Sequence, residues 1–409
     1  MRAAPRTAPL AYALVVLLSL ALLINYVDRG TLSTAAPLIQ SELQLTHAQL
    51  GWVLSAFFWT YVIAQPVMGA LADRLGAARV LAAGFTLWSL STVFTGLSRG
   101  VAGLVSLRLL MGIGESVTYP SALALLSQRV GDGHRARATG VLQLGGVLGP
   151  ALGTFLGGHL MIRYGWRVMF IALGLASLLW LIPWRGQLQF SSAPGERAAL
   201  GPAPRVTDIL RQRALWGSMV GNFCANYSFY FVFNWLPSYL VQERGLSQLA
   251  MTNLTSAVYL VDGASVLATG WLLDAWVRRG ASVNLAYKSA LVVGAGGVGL
   301  CLLAASTAGA QLAGLLLLVT GLMDGVINPA VCSVAQHFAG PRASGRWMGL
   351  QNAVANIAGI LAGILTGQLV DVRHHYTEAL WLAGGIALFG IVGWLLLVPA
   401  VRPVRWARQ

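Results

Sequence analysis

Apolar runs of about 20 residues, separated by short polar interruptions, recur from one end of the chain to the other. A run of that length crosses the hydrocarbon core of a bilayer as an α-helix. Twelve such runs can be counted, at 10–32, 49–71, 77–97, 101–128, 137–160 and 166–184, and then at 214–241, 250–273, 286–306, 309–337, 346–370 and 378–400. The pattern predicts an all-α integral membrane protein with twelve transmembrane helices.

Composition agrees with this and excludes a soluble globule. Of 409 residues, 56% are hydrophobic and only 10% charged, where soluble domains carry roughly a quarter charged residues. The 27 Lys and Arg outnumber the 13 Asp and Glu, for a formal net charge of +14. Apolar runs separate these charges, which does not suit a solvated nucleic-acid-binding face. Sorting the loops alternately, with the N-terminus in the cytoplasm, puts 20 of the 27 basic residues on the cytoplasmic side and leaves Arg29 and Arg108 inside spans. The positive-inside rule therefore predicts that both termini are cytoplasmic.

Three look-alike signals change little. Residues 1–24 begin like a secretory signal, but the apolar run continues past Ile24, so they are expected to form the first helix. Gly294-Ala-Gly296-Gly-Val-Gly299 matches a dinucleotide-binding fingerprint inside an apolar helix with no strand before it, which predicts helix packing instead. Cys224, Cys301 and Cys332 all lie in spans without metal-ligand spacing and are expected to be packing residues.

The chain also repeats itself. A polar segment, 185–213, divides the spans six and six, giving an N-terminal six-helix bundle over 1–184, a central cytoplasmic loop over 185–213 and a C-terminal bundle over 214–409. Gly69-Ala-Leu71-Ala-Asp73 is matched by Gly270-Trp-Leu272-Leu-Asp274 across that divide. The fifth span carries Gly145, Gly149, Gly153 and Gly157, and the eleventh Gly359, Gly363 and Gly367, at four-residue spacing. Small residues so spaced leave a groove that another helix can enter closely. Duplicated six-helix halves are the pattern of a secondary transporter with its site between them.

Several motifs make the likeness specific. Gly69-Ala-Leu-Ala-Asp73-Arg74-Leu-Gly76-Ala-Ala-Arg79 resembles the loop 2–3 signature of the major facilitator superfamily, with a weaker copy from Gly270 to Gly280. Asn25-Tyr26-Val-Asp28-Arg29, Arg108-Leu-Leu-Met-Gly112-Ile-Gly114-Glu115, Gly165-Trp166-Arg167, Trp235-Leu-Pro237-Ser-Tyr239, and Arg278-Arg279-Gly280 with Lys288 resemble its anion:cation symporter branch. That branch includes carriers for galactonate, glucarate and hexuronates and the sialin-like proteins. The resemblance implies the major facilitator fold and a proton-coupled carrier of organic anions. It also implies functional roles for Asp28, Arg29, Arg108 and Glu115.

Those four residues stand out without the family. An ionisable side chain at membrane depth costs roughly 2.5–3.5 kcal/mol on insertion scales, so each is a functional candidate. Asp28, Arg29, Arg108, Glu115, Asp262 and Asp324 all fall inside spans. Arg108 and Glu115 are seven residues apart, on one helix face and about 10 Å from each other. Arg29 shares a face with Tyr26 and Ser33. Guanidinium groups match a carboxylate with paired donors and keep their charge in the membrane, so Arg29 and Arg108 are expected to bind the substrate carboxylate. Asp28 and Glu115 are expected to carry the coupling protons, because burial and a neighbouring arginine pull a carboxyl group in opposite directions. The alternative reading makes the four residues internal salt bridges.

Polar residues in the second half suit a hydroxylated ligand. Asn222, Asn226, Tyr230 and Asn234 recur every fourth residue in the seventh span, and Asn352 with Asn356 in the eleventh, while Gln143 lies in the fifth. Amides both donate and accept, which fits hydroxyl groups; interhelical bonding is the competing account. Asp262 and Asp324 depart from the branch pattern and are candidates for an extra ionic site. Asp73, Arg74, Arg79 and Asp274 are expected to latch the halves in one state. His159, His337, His374 and His375 lie near span ends and are expected to be solvated or interfacial; no metal site is expected.

The function predicted is a secondary active transporter in the cell membrane, a bacterial inner membrane. It would import an organic anion, a sugar acid or other small carboxylate, with protons by alternating access. No cofactor is expected beyond the proton gradient, the partners are the anion, protons and bilayer, and the chain is expected to be monomeric. No phosphate loop marks a primary pump, and no Ser or Cys has a His partner for hydrolysis. A proton-antiport exporter of amphipathic compounds and a non-transporting membrane sensor are the alternatives.

Overall fold

The computed structural model describes residues 8–130, 132–188, 204–398, 400–404 and 406, and the side chains of a few helical residues, Asp73 among them, lie outside the description. The expected N-terminal tail before residue 8 and residues 189–203 of the expected central loop also lie outside it. The described residues form α1 (Ala8–Glu42), α2 (His47–Leu75), α3 (Ala77–Thr95), α4 (Val101–Glu115), α5 (Thr118–Arg129), α6 (Asp132–Leu178), α7 (Leu181–Leu188), α8 (Val206–Leu210), α9 (Arg213–Ser238), α10 (Gln248–Arg278), α11 (Val283–Thr307), α12 (Ala310–Arg373) and α13 (Thr377–Val392). Short π-helical turns follow α9 (Tyr239–Glu243) and α13 (Gly393–Leu397). No strand occurs among the described residues. Among the described residues, ten helical stretches are long and apolar enough to cross a membrane. In hydrocarbon a spanning helix satisfies its own backbone hydrogen bonds, so this sequence of apolar runs folds as helices throughout.

Helix limits differ from the sequence pattern in identifiable places. The fourth run, 101–128, is divided into α4 and α5 at Ser116 and Val117. The fifth and sixth lie in one helical stretch, α6, broken at Gly165, where φ of 81° suits a residue without Cβ. The tenth and eleventh share α12, broken at Gly340 with φ of 63°. The segment expected to be a loop, 185–213, contains the end of α7 and the short α8. The seventh run, now α9, is not among the ten apolar stretches, because its asparagines and hydroxyl residues lower its hydropathy.

The chain divides into two compact units. Unit 1 comprises Met1–Leu45 and Ala56–Gly195, and unit 2 comprises Thr46–Ser55 and Glu196–Gln409. Within unit 1, α1 lies in the glycine groove of α6. A Cβ placed on Gly145 would overlap the carbonyl oxygen of Ser19, one on Gly149 would overlap Tyr26, and one on Gly153 would press on Val27. The four-residue glycine repeat therefore lets two backbones touch, which gains dispersion energy where lipid supplies no hydrophobic drive. The Gly165-Trp166-Arg167 motif ties three helix ends together. Trp166 Nε1 donates to Glu42 Oε2 (2.5 Å), Arg167 Nη2 donates to Glu42 Oε1 (2.9 Å), and Arg167 Nη1 reaches the carbonyls of Gly96 (3.3 Å) and Ser98 (2.5 Å). Arg167 thus caps the C-terminal end of α3 as well as pairing with α1.

Unit 2 uses the same devices. Gly294 and Gly297 on α11 meet Met323 and Ile327 of α12, and Gly299 meets Leu388 and Gly384 of α13. The glycine-rich run in α11 is therefore a packing surface. Arg244, after the first π turn, donates to the carbonyls of Ala305 (2.5 Å), Ser306 (3.3 Å) and Ala308 (2.8 Å), covering the otherwise unpaired C-terminal carbonyls of α11. Val404 N–H donates to Phe338 O (2.9 Å) and Trp406 Nε1 to Ala339 O (2.9 Å), so the C-terminal segment supplies partners just before the Gly340 break.

Candidate functional site

Four charged side chains at membrane depth converge in unit 1. Asp28 and Arg29 come from α1, and Arg108 and Glu115 from α4, each at most 7% exposed. The regular helix from Val101 to Glu115 keeps Arg108 and Glu115 on one face. Gly112 between them has no room for a side chain, because a Cβ there would overlap Phe57 O and Thr60 Oγ1 of α2. Close contact of α2 with α4 at Gly112 brings the rings of Phe57 and Tyr61 into the same space.

The ion pairing crosses between helices. Arg29 Nε donates to Glu115 Oε2 at 2.6 Å. Its guanidinium also lies over three rings, with centroid distances of 4.9 Å to Tyr26, 4.5 Å to Phe57 and 4.7 Å to Tyr61. Arg108 lies 5.2 Å from the Phe57 ring, donates through Nη1 to Met111 Sδ (3.1 Å), and has no partner at Nε. Contacts of a guanidinium with aromatic faces contribute about 0.5–2 kcal/mol each and hold the plane of the group in place. Arg29 is thus committed to Glu115, while Arg108 is buried with donor capacity to spare.

Asp28 is turned away from Arg29, towards α3. Both of its carboxylate oxygens are buried without a hydrogen-bond partner. Trp88 and Thr92 of α3 face it, together with Glu115 and Arg108. The indole Nε1 of Trp88 likewise lacks a partner, as does Glu115 Oε1. Buried polar atoms left unpaired are expensive, and ionisable groups at membrane depth are functional candidates. Tyr26 is half-buried beside this cluster. Gln143 on α6 accepts a hydrogen bond from Tyr119 OH (3.1 Å) and is exposed.

In unit 2 the amide residues meet as two pairs. Asn226 Nδ2 donates to the carbonyl (2.9 Å) and Oδ1 (3.0 Å) of Asn222 along α9. Tyr230 OH donates to Asn356 Oδ1 (3.0 Å), and Asn356 Nδ2 donates to Asn352 O (2.8 Å), joining α9 to α12. Asn352 is exposed and Asn356 buried. Tyr230 and Asn356 thus form an interhelical bond, while Asn222 and Asn226 bond along one helix. Asn234, one turn further, is buried with Nδ2 unpartnered.

Asp262 on α10 and Asp324 on α12 line one small cavity of unit 2, about 20 Å³, with Ser228, Tyr259 and Thr320. Arg74, Arg79 and Asp274, expected to latch the halves, are exposed, and the side chain of Asp73 lies outside the described residues. His159 and His337 each bond a carbonyl of their own helix, at Phe155 (2.7 Å) and Ser333 (2.8 Å), and His375 pairs with Glu378 (2.9 Å). The three cysteines are free thiols. Among the described residues no group of three or more His, Cys, Asp or Glu could hold a metal ion.

Sequence reasoning missed several contributors. Phe57, Tyr61, Trp88 and Tyr119 are aromatic residues in an apolar sequence, and nothing in spacing alone separates them from core. His47 and Asp371, which bond each other, are nearly 325 residues apart in sequence. Only a folded chain brings such pairs together.

Comparison with known proteins agrees with this architecture. The model of the Major Facilitator Superfamily matches residues 18–293 and 282–408. The hexuronate transporter of Bacillus subtilis (strain 168) is 30% identical, over 95% of this chain and 94% of that protein. The D-galactonate transporter of Escherichia coli O6:H1 is 27% identical, over 96% of each. Among solved structures, a bacterial homologue of the human lysosomal transporter Spinster, inward-facing and occupied, superposes with a TM-score of 0.78 at 16% identity, over 94% of this chain and 96% of that one. The all-helical fold, the run of apolar helices and the match along nearly the whole sequence lead to one assignment: the chain belongs to the Major Facilitator Superfamily, a family of multi-pass membrane transporters.

Proposed function

We propose that this protein is a proton-coupled importer of a sugar acid. The observation that carries the reading is the cluster in unit 1, where two arginines and two carboxylates share a buried space with aromatic walls. Arg108, with unused donor capacity, is the first contact for a substrate carboxylate. Arg29 is the second, reached when it turns from Glu115. Glu115 then loses the cation that balances it, and a buried unpaired carboxylate takes up a proton rather than stay charged. Binding of the anion and loading of the proton are coupled through one guanidinium. Asp28 is a second carrier of exchangeable protons beside Arg108. The amides of Asn222, Asn226, Asn352 and Asn356, with Tyr230, supply donors and acceptors for substrate hydroxyls, and relatives described as hexuronate and D-galactonate transporters support a hydroxylated acid.

This reading includes twelve crossings. Dividing the stretch Arg137–Leu188 at Gly165 and adding α9 brings the ten apolar stretches to that number. An even number agrees with both termini in the cytoplasm of a bacterial cell, and with the excess of arginine in the loops on that side. The chain works as a monomer.

The test is uptake by purified protein in proteoliposomes. Labelled galactonate or glucuronate is expected to accumulate under an inside-alkaline gradient and to stop accumulating when a protonophore is added. Arg108→Lys, which keeps charge but loses the planar fork, is expected to weaken substrate binding at least ten-fold. Uptake indifferent to the gradient would remove proton coupling, and full affinity in Arg108→Lys would remove the carboxylate role.

A further inference from the structure

A column of aromatic rings runs through unit 1. Trp184 of α7 stacks on Trp180 with centroids 4.6 Å apart, Trp180 stacks on Phe85 of α3 at 4.2 Å, and Phe85 leans on Trp88 at 4.3 Å with 46° between the planes. The three indoles are all buried but differ in what their N–H groups do. Trp184 Nε1 donates to Ala78 O (3.0 Å) and Trp180 Nε1 to Leu17 O (2.9 Å). Trp88 has no exposed surface at all, and its Nε1 donates to nothing. A buried indole N–H usually finds a partner, so its orphaned state at this one position calls for a reason.

Glycine sets where Trp88 stands. A Cβ on Gly114 would lie 2.9 Å from Trp88 N and 3.0 Å from Trp88 Cβ, and one on Gly84 would lie 2.6 Å from Gly114 O. So α3 sits hard against α4 one residue before Glu115, while the Phe85 ring holds the indole from its own helix. In that position Trp88 faces Asp28 of α1, whose two carboxylate oxygens are themselves buried without a partner. An unspent donor thus meets unspent acceptors. Thr92, one turn further along α3, also faces Asp28, but its hydroxyl donates to Trp88 O (3.1 Å). The charged groups that face Asp28 are Glu115 and Arg108, both from α4. Elsewhere α1 meets uncharged neighbours: Thr118 of α5, which accepts from Asn25 (3.5 Å), and Gly149 and Gly153 of α6. An indole N–H can only donate, and a hydrogen bond to an ionised carboxylate is roughly twice as strong as one to a neutral acceptor.

We propose that Trp88 is the positioning residue for Asp28: its indole N–H bonds the carboxylate when Asp28 is charged and releases it when Asp28 is protonated. The place of that proton in transport rests on the reading above, whereas the bond does not. The bond is tested on the full-length protein in lipid nanodiscs without substrate, by ultraviolet resonance Raman spectroscopy, which reads the hydrogen bonding of indole N–H groups. Raising the pH is expected to shift the marker of one of the 14 tryptophans towards stronger bonding, and the shift is expected to vanish in Asp28→Asn. It is also expected to vanish in Trp88→Phe and to survive in Trp180→Phe, which removes an indole of the same stack whose N–H is already committed. A marker that does not move with pH, or that moves equally in Asp28→Asn, overturns the proposal. The comparison with Asp28→Asn needs no change at Trp88, so it decides the matter even where Trp88→Phe fails to fold.

The consequence for transport is read from the pH profile of sugar-acid uptake in proteoliposomes. Trp88→Phe takes a donor from the charged form, so its alkaline limb is expected to move to higher pH by about one pH unit. Trp180→Phe is expected to keep the limb in place, because a loss of ring stacking alone does not change the donors at Asp28. An unmoved limb in Trp88→Phe, or an equal movement in both variants, overturns the positioning role. Absence of uptake by the natural protein would count against the transport reading instead, and the Raman comparison would still decide the bond.

Discussion

Arg29 shows how much a single residue does in this protein. It pairs with Glu115 at 2.6 Å and rests among Tyr26, Phe57 and Tyr61, with the charged ends of the pair buried. Two charges taken out of water are costly, and their mutual attraction repays the cost only while both are present. Arg29→Ala is therefore expected to destabilise the protein by about 3–5 kcal/mol, since it leaves Glu115 buried without its cation. Adding Glu115→Gln to Arg29→Ala is expected to recover most of that loss. Thermal unfolding of the two single variants and the double variant in detergent checks both statements. Equal destabilisation in Arg29→Ala and the double variant would show that the lost packing against the rings, and not the unpaired carboxylate, sets the cost. At this scale the sequence was informative about identity: a charge inside an apolar run is visible at once. It was uninformative about partners, for spacing put Arg108 and Glu115 only on one helix face, while the fold pairs Glu115 with Arg29 from another helix.

Helix contact follows from where side chains are missing. The glycine repeat of the fifth run predicts a groove, and α1 fills it in the structure, with Ser19, Tyr26 and Val27 lying against Gly145, Gly149 and Gly153. Gly145→Ala is expected to cost about 1–3 kcal/mol, because the new methyl group meets the backbone of α1, which cannot turn aside. Gly349→Ala in α12 is a matched control, since nothing lies within 4 Å of a Cβ there. It is expected to leave stability within about 1 kcal/mol of the natural protein. Comparing the unfolding midpoints of the two variants tests whether glycine acts by contact or by backbone freedom. The glycine repeat of the eleventh run also predicts a groove, but its occupant was not readable. A groove is a property of one helix; which helix enters it depends on how all the others are arranged. The structure gives Gly363 and Gly367 the start of α2, far away in sequence, and adds the Asp371 cap that no local pattern signals.

For the whole molecule the informative quantity is the distribution of charge along the chain. The twelve-crossing orientation makes a clear labelling prediction. In a background without the three cysteines, a single cysteine at Arg99 is expected to react with a membrane-impermeant maleimide in intact cells, and one at Arg79 only after permeabilisation. Labelling of both from outside would overturn the orientation. The sequence by itself determined the solvent, because runs of apolar residues long enough to cross a bilayer have no other stable place. It also determined helices as the only element, through the backbone hydrogen bonds that hydrocarbon cannot supply. The family was legible too, in motifs from Asn25 to Lys288 that a local reading can match. Tertiary structure alone decided which charges pair, that the breaks fall at Gly165 and Gly340, that Trp88 and Thr92 face Asp28, and that Asp371 holds α2. The physical reason is range. Hydropathy and helix formation are set within about 20 residues, whereas an ion pair or a helix cap depends on contacts of a few ångströms between segments that may be hundreds of residues apart.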